Sequence, residues 1–509
     1  MAELAGLWAG RFRTSEGDEP LVVRVAADDG AVDLSARLLF GAPITSLEHS
    51  GADVGLDATA AELTVRARLV PSGDAMAGTA SIGGAGGDVQ LHRVDTGADL
   101  GRLTGEYQLG ARSLLIARIR DRLLTQTVHF YAEDDALVRL YPVRDGTLLS
   151  ERGESFAPAP GGGLVCRTSS GDQVAQRARP YESTDVTFKG RAGRLAASLL
   201  TPADPRGAVV MLHGTIPAER DYYRVFARHF ARHGIASLIW DRRGNGDSEG
   251  SPESTILDRA DDAAAGIAWL RDRGFARIGV WAFSNGGWSA PVVARRDPDL
   301  AFLIGFGTSG VTMADAEVHR RVSELRLAGV SERSLEAVAE CWRLIFGYVA
   351  RGSLSEAERV ALDEALAAVH ADRQLGEVPV PEFAQIDPAL AAVPQWAGSG
   401  ELPPIPEPDA EIAYDPCADY ARVEMPVLFV IGQRDQNIPP DASAARVRAA
   451  LEAAGNDRSR AEIIPGAGHE LNVEPPPEAR APLFSFQRFR FAPALLDRVA
   501  GWAAGQLEP

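Results

Sequence analysis

The sequence predicts an α/β domain, a mostly parallel sheet flanked by helices and carrying a helical insertion, preceded by a smaller all-β domain. Three observations predict it. An apolar pattern of period two marks the first third of the chain. Strand and helix patterns alternate after about Tyr181. Strand signals vanish between about Val311 and Ala421, then the alternation resumes. At roughly 150 residues per domain, a chain of 509 residues holds about two to four such units.

Composition narrows the function classes. Apolar residues make up 45% and charged residues 24%, a globular balance. Acidic residues outnumber basic ones by 70 to 52, giving a net charge of −18. That average field repels phosphate backbones and anionic lipid, so neither nucleic acid nor membrane is an expected partner. Nearly all the basic side chains are Arg, Lys189 being the exception. Cys166, Cys341 and Cys417 lie far apart without C-x-x-C spacing. They form neither a disulfide framework nor a zinc site and fit a reducing compartment. Residues 1–20 carry Glu3, Arg11, Arg13, Glu16, Asp18 and Glu19 and lack the apolar core of a signal peptide. No stretch approaches the ~20 apolar residues of a membrane helix. A soluble, cytoplasmic protein is expected.

The elements follow in order. Leu63, Val65, Ala67 and Leu69 alternate with Glu62, Thr64, Arg66 and Arg68, the period of a half-buried strand. Leu21 to Val25, Leu114 to Ile119 and Thr127 to Tyr131 read similarly. Turns at Asp28-Asp29-Gly30, Pro71-Ser72-Gly73 and Gly83-Gly84-Ala85-Gly86-Gly87 separate such runs. Residues 1–165 are therefore expected to form an antiparallel barrel or sandwich. Two halves, Gly6 to Val94 and Leu100 to Phe156, are compatible with strand openings at Gly6-Leu-Trp-Ala-Gly10 and Gly105-Glu-Tyr107, without an internal repeat being assigned. Pro158 to Gly163 reads as a linker.

Residues 166–310 and 422–509 are assigned to the α/β domain. Its expected strands are Val209–Leu212, Ile235–Trp240, Ile278–Ala282, Val427–Ile431 and Ala461–Ile464. Its helices are expected at Tyr222–His233, Ile256–Arg273, after Ser284, at Asp441–Ala454 and at Ala494–Leu507. Residues 311–421 form the insertion, a cap of helices. Glu317 to Arg351 is helical with a break near Gly329, and a capping box, Ser355-x-x-Glu358, opens a helix to about Ala371. Val378 to Pro408 is Pro-rich and irregular. Trp342, Phe346, Trp396 and Phe484 to Phe491 are candidates for a pocket lining, with core packing the commoner explanation.

The strongest chemical signal is Ala282-Phe-Ser284-Asn-Gly286-Gly287, between a buried strand and a helix. A serine can stand exposed on so tight a turn only with small residues two before and two after it, and Ala282 and Gly286 supply them. The plainer reading is a serine that merely starts a helix. An exposed hydroxyl needs a base, and the base an orienting acid. Asp435 follows one buried strand in Gly432-Gln-Arg-Asp435, and His469 follows the next in Pro465-Gly-Ala-Gly468-His469. Both fall at strand C-terminal ends, where a parallel sheet places its active site, although either alone fits an ordinary loop. The Asn285 N–H at the helix N-terminus is one candidate oxyanion donor. The other is the N–H of Thr215 or Ile216, in the loop His213-Gly214-Thr215-Ile216-Pro217. His213 precedes the nucleophile and reads as a turn residue. Asp241-Arg-Arg-Gly244-Asn-Gly246-Asp-Ser248 lacks the Gly-Lys-Ser/Thr ending of a phosphate loop and reads as a structural turn. His229 and His233 lack the glutamate of H-E-x-x-H and read as a solvated helix face, so no metal site is assigned.

These residues resemble the serine α/β-hydrolase superfamily, and more narrowly bacterial esterases whose first loop reads H-G-S-G-P-x-D-R-D. His213, Gly214, Pro217, Arg220 and Asp221 match that loop, with Thr215 in place of serine. Asp241, Arg243, Gly244, Gly246 and Ser248 match D-x-R-G-x-G-x-S. The elbow G-H-S-x-G-G matches at Ser284, Gly286 and Gly287 and departs at Ala282 and Phe283. Gly432, Asp435 and Pro439 match G-x-x-D-x-x-V-P, with Ile438 for valine. The resemblance covers about residues 183–509 and implies the α/β-hydrolase fold. It also implies carboxyl-ester hydrolysis without metal or organic cofactor, with Ser284 as nucleophile, Asp435 as acid and His469 as base. Members of the group often carry an N-terminal β-rich extension. The partner expected is a small-molecule ester or related acyl substrate, and a homo-oligomer is compatible with the sequence. Thioesterase, lactonase or acyl-transfer and cyclisation chemistry on the same residues is the alternative. A silent binding protein on a hydrolase fold is the reading from another class.

Overall fold

Alternating side chains in the N-terminal part close into barrels. The computed structural model describes residues 4–15, 17–25, 30–34, 39–50, 53–60, 63–98, 101–121, 126–143, 146–168, 171–215, 218–327, 329–371, 408–473 and 490–508. The first barrel runs from β1 (Gly6–Thr14) to β8 (Ala85–Arg93), and β8 pairs back onto β1 with Trp8 opposite Arg93. Trp8, Phe12, Val65, Leu69 and Ile82 fill its core, while Arg66 and Arg68 stay exposed. The second barrel runs from β9 (Gly105–Leu109) to β16 (Gly171–Ala178), around Tyr107, Ile116, Tyr131 and Phe156. It extends past the boundary expected at residue 165. Pro158 to Gly163 is not a linker but the connection between its β14 (Ser155–Pro158) and β15 (Leu164–Thr168), which pair Pro158 with Leu164.

The two barrels repeat one closure. Leu4-Ala-Gly-Leu-Trp8 and Leu103-Thr-Gly-Glu-Tyr107 occupy equivalent places. Trp8 Nε1 donates to the Leu4 carbonyl at 2.8 Å, and Tyr107 Oη donates to the Leu103 carbonyl at 3.0 Å. The Arg93 guanidinium lies 4.2 Å from the Trp8 ring centroid and donates to the Ala5 carbonyl. Arg177 lies 5.4 Å from the Tyr107 ring and donates to the Thr104 carbonyl. A Cβ on Gly6 (φ 132°) or Gly105 (φ 142°) would press on that arginine. The shared pattern is short and its arginine comes a whole barrel later, which hides the repeat in the sequence.

A third sheet comprises β17 (Glu182–Gly190), β18 (Gly193–Thr201), β19 (Gly207–Leu212), β20 (Ile235–Trp240), β21 (Ile278–Phe283), β22 (Phe302–Phe306), β23 (Val427–Gly432) and β24 (Arg460–Ile464). Their order is β17-β18-β20-β19-β21-β22-β23-β24. β21 to β24 pair in parallel, whereas β17 with β18 and β18 with β20 are antiparallel. The sheet is thus mixed. The sequence reading missed the β17–β18 hairpin because most β17 side chains face solvent. The turn between Gly190 and Gly193 was the available signal. Among the described residues the α-helices are α1 (Arg220–Arg232), α2 (Ile256–Arg271), α3 (Gly286–Arg296), α4 (Met313–Leu327), α5 (Glu332–Arg351), α6 (Glu356–Ala371), α7 (Cys417–Tyr420), α8 (Pro440–Ala453) and α9 (Leu495–Gln506). Gly329 (φ 84°) separates α4 from α5, and Ser355 and Glu358 exchange capping bonds ahead of α6. Trp342 and Phe346 stack on each other beneath Arg321, as core of the insertion. Trp396, Phe484 and most of Val378 to Pro408 lie outside the described residues.

The chain divides into two units, Met1–Val209 with Ile216–Pro252 and Asn472–Pro509, and Val210–Thr215 with Glu253–Leu471. In the first, α1 carries Arg228, which is 1% exposed and lies 2.9 Å from Glu106 of β9. Arg228 also donates to the Ala132 carbonyl and to Ser113 Oγ. His229 is buried, with Nδ1 2.9 Å from Asp497, which corrects the expectation of a solvated face. Burial, above all, holds its pKa below the ordinary value. Asp241 is a structural acceptor as expected. It takes bonds from the Arg220 backbone N–H and guanidinium and from the Asp247 N–H, while Ser248 Oγ donates to its carbonyl.

Candidate active site

The second unit contains Ser284, Asp435, His469, Asn285 and Thr215. β21 is buried throughout, and the chain leaves it at Ser284 in the left-handed region (φ 48°) before α3 begins. A non-glycine residue there costs roughly 1–3 kcal/mol, so its surroundings must enforce it. A Cβ on Gly286 would stand 2.8 Å from the His213 carbonyl, and one on Gly287 would run into Thr308 Oγ1. The Ser284 N–H donates to the Phe306 carbonyl at 3.3 Å. Its own carbonyl accepts from the Gly287 N–H and from Thr308 Oγ1, each at 2.9 Å.

Ser284 Oγ lies 2.9 Å from His469 Nε2, and His469 Nδ1 lies 2.8 Å from Asp435 Oδ2. The other oxygen of Asp435 accepts the N–H groups of Asn437 and Ile438 at 2.8 and 2.9 Å, and this carboxylate is fully buried. Burial alone would lower the His469 pKa. The charge and hydrogen bond of Asp435, helped by the charge of Glu470, outweigh it and leave the imidazole above its ordinary value. Burial raises the neighbouring Glu470 in turn, against the pull of His469.

Asn285 and the loop carrying Thr215 sit beside this chain of bonds. Asn285 stands at the N-terminus of α3, where the helix directs N–H groups and a partial positive charge outward. A Cβ on Gly214 would be 3.3 Å from Ser284 Cβ, so the His213–Thr215 loop lies against the serine. Ile216 is outside the described residues. Phe283, where the elbow departs from the esterase pattern, is buried and leans on the His469 ring, with centroids 5.8 Å apart. Sequence reasoning missed Thr308 and His319. The His319 ring lies 2.9 Å from the Asp435 carbonyl through Nε2, and no local spacing announces a contact between residues so distant in the chain. Among the described residues, no cluster of His, Cys, Asp and Glu is arranged to hold a metal ion, and no helix is long and apolar enough to cross a membrane.

A family model described as "Serine aminopeptidase, S33" matches residues 203–327, which include Gly214 and Ser284. A second, described as "BAAT / Acyl-CoA thioester hydrolase C terminal", matches residues 407–492, which include Asp435 and His469. Both matches support the serine α/β-hydrolase superfamily for the residues they cover. Among the relatives of this chain, the quorum-quenching protein AidA of Acinetobacter baumannii (strain MDR-ZJ06) is 24% identical over 51% of this chain and 78% of its own length. The polyketide transferase grgF of Penicillium sp is 27% identical over 28% of this chain and 51% of its own length. The thiohydrolase apmlB of Arthrinium phaeospermum is 30% identical over 24% of this chain and 42% of its own length. The chain thus spans about half or less of the last two.

Proposed function

We propose that this serine α/β-hydrolase cleaves carboxylic esters through an acyl-serine intermediate. The observation that carries the reading is the continuous run of hydrogen bonds from Ser284 Oγ through both nitrogens of His469 to Asp435. His469 takes the Ser284 proton as Oγ attacks the ester carbonyl, and returns it to the departing alkoxide. A water then enters, gives its proton to His469, and attacks the acyl group. The acid is released and the proton goes back to Oγ. Asp435 keeps the Nδ1–H tautomer in place and stabilises the imidazolium. The N–H groups of Asn285 and Thr215 receive the oxyanion, with Ile216 the alternative to Thr215 as second donor. The helices of 311–421 act as a cap that selects the acyl or alcohol portion and limits water.

Ser284→Ala is expected to lower p-nitrophenyl ester turnover by several orders of magnitude. Turnover retained by that variant contradicts the proposal. A second reading, action on thioesters, is favoured by the acyl-CoA thioester hydrolase match over Asp435 and His469 and by the relatives named a thiohydrolase and a polyketide transferase. Comparing an oxoester and a thioester of one acyl group decides between them. The reading with the higher kcat/KM stands.

A further inference from the structure

One segment touches the main chain of all three residues in the proposed reaction. It leaves β22 at Phe306 and runs into α4. Gly307, in the left-handed region (φ 57°), passes so close to the His469 carbonyl that a Cβ would collide with it. Next to it, Thr308 is fully buried and donates through Oγ1 to the Ser284 carbonyl at 2.9 Å. That hydroxyl fills the space a side chain at Gly287 would need, which ties the second glycine of the elbow to Thr308. Farther on, the Val311 carbonyl accepts the indole N–H of Trp288, from the helix that follows Ser284, at 3.0 Å. Within the second turn of α4, His319 Nε2 reaches the Asp435 carbonyl at 2.9 Å. Asp435 O is an acceptor, so Nε2 carries the proton in this contact.

We propose that Thr308 and His319 are positioning residues that fix Ser284 and Asp435 relative to each other, so that the start of the helical insertion helps build the site. Neither side chain enters the proton path. Each bonds the backbone of a residue that does, and an error of about 1 Å in such placement can cost on the order of 100-fold in rate. The proposal rests on the serine-hydrolase reading above and adds two residues to it.

The test uses the full chain with Thr308→Val, Thr308→Ser, His319→Leu and His319→Gln. Val keeps the shape of Thr and loses the hydroxyl, and Ser keeps the hydroxyl. Gln carries an amide N–H to about the place of Nε2, and Leu has none. Fluorophosphonate labelling rate and kcat are expected to fall about 10-fold or more in the Val and Leu variants, with KM within about 2-fold. The Ser and Gln variants are expected to return to within about 3-fold of the parent. Thermal melts accompany each. Where Val or Leu fails to fold, Thr308→Ala and His319→Asn, whose amide falls a methylene short, replace them. Parent-like rates in the donor-less variants, or Ser and Gln variants as slow as these, overturn the proposal. The Ser284→Ala control separates the two claims, since loss of labelling there with parent-like positioning variants rejects only this inference. Retained turnover in Ser284→Ala rejects the underlying reading.

Discussion

At the scale of single residues, Ser284 is left-handed, and the two glycines that follow it in the elbow leave no room for a side chain against His213 and Thr308. This demand is local, and it made the elbow legible from six consecutive residues. Asp435 and His469 were legible because each closely follows a strand, β23 and β24 respectively. Thr308 and His319 were not, since a hydrogen bond to a distant carbonyl leaves no periodicity. The Asp435 carboxylate raises the His469 pKa by favouring the imidazolium. Under the proposed mechanism the neutral imidazole is the base, so the acid limb of the kcat/KM profile is expected on the alkaline side of an ordinary imidazole's titration. Asp435→Asn removes that charge, so the limb is expected to move to lower pH while kcat falls by roughly three to four orders of magnitude. A pH–rate profile of the variant checks both, and an unmoved limb contradicts the assignment of Asp435.

At the scale of elements, the buried strands β19, β20, β21 and β23 were legible as continuous apolar runs, because both faces are covered, whereas the short β22, equally buried, was not read as a strand. The β17–β18 hairpin escaped because its polar side chains carry little pattern. The inward turn of His229 escaped because a helix face is assigned by its neighbours, and Asp497 lies far along the chain. In the second barrel, Glu151 is buried beyond β13 (Leu148–Ser150) and accepts the Arg139 N–H at 2.8 Å. Burial raises its pKa from 4.5 to about 7. The folded state then binds the proton more tightly than the unfolded chain does. The resulting stability is fully present below pH 4.5 and is lost as pH rises through about 7. The loss amounts to roughly 3 kcal/mol at most. Melting of the parent is expected to be higher at pH 5 than at pH 8, and Glu151→Gln to flatten that difference. A Gln variant with the parent's pH dependence would refute the assignment.

At the scale of the molecule, the α/β organisation and the β-rich start were legible from pattern. The pairing of two barrels through one repeated closure was not, since it depends on Trp8 meeting Arg93 and Tyr107 meeting Arg177 across whole barrels. Within the first unit, the buried Arg228–Glu106 pair joins α1 to β9. Removing one partner strands the other charge, so Arg228→Ala is expected to cost about 3–5 kcal/mol of unfolding free energy. Replacing both at once, by Arg228→Met with Glu106→Leu, is expected to cost less. Denaturant unfolding followed by circular dichroism measures the two, and an equal or larger loss in the double variant would contradict the ion-pair account.

The most direct measurement is intact-mass and peptide analysis after reaction with a fluorophosphonate. One adduct per chain, on the peptide bearing Ser284, is predicted, absent in Ser284→Ala and strongly slowed in His469→Ala. No adduct, or an adduct elsewhere alongside undiminished ester turnover in Ser284→Ala, would contradict the account.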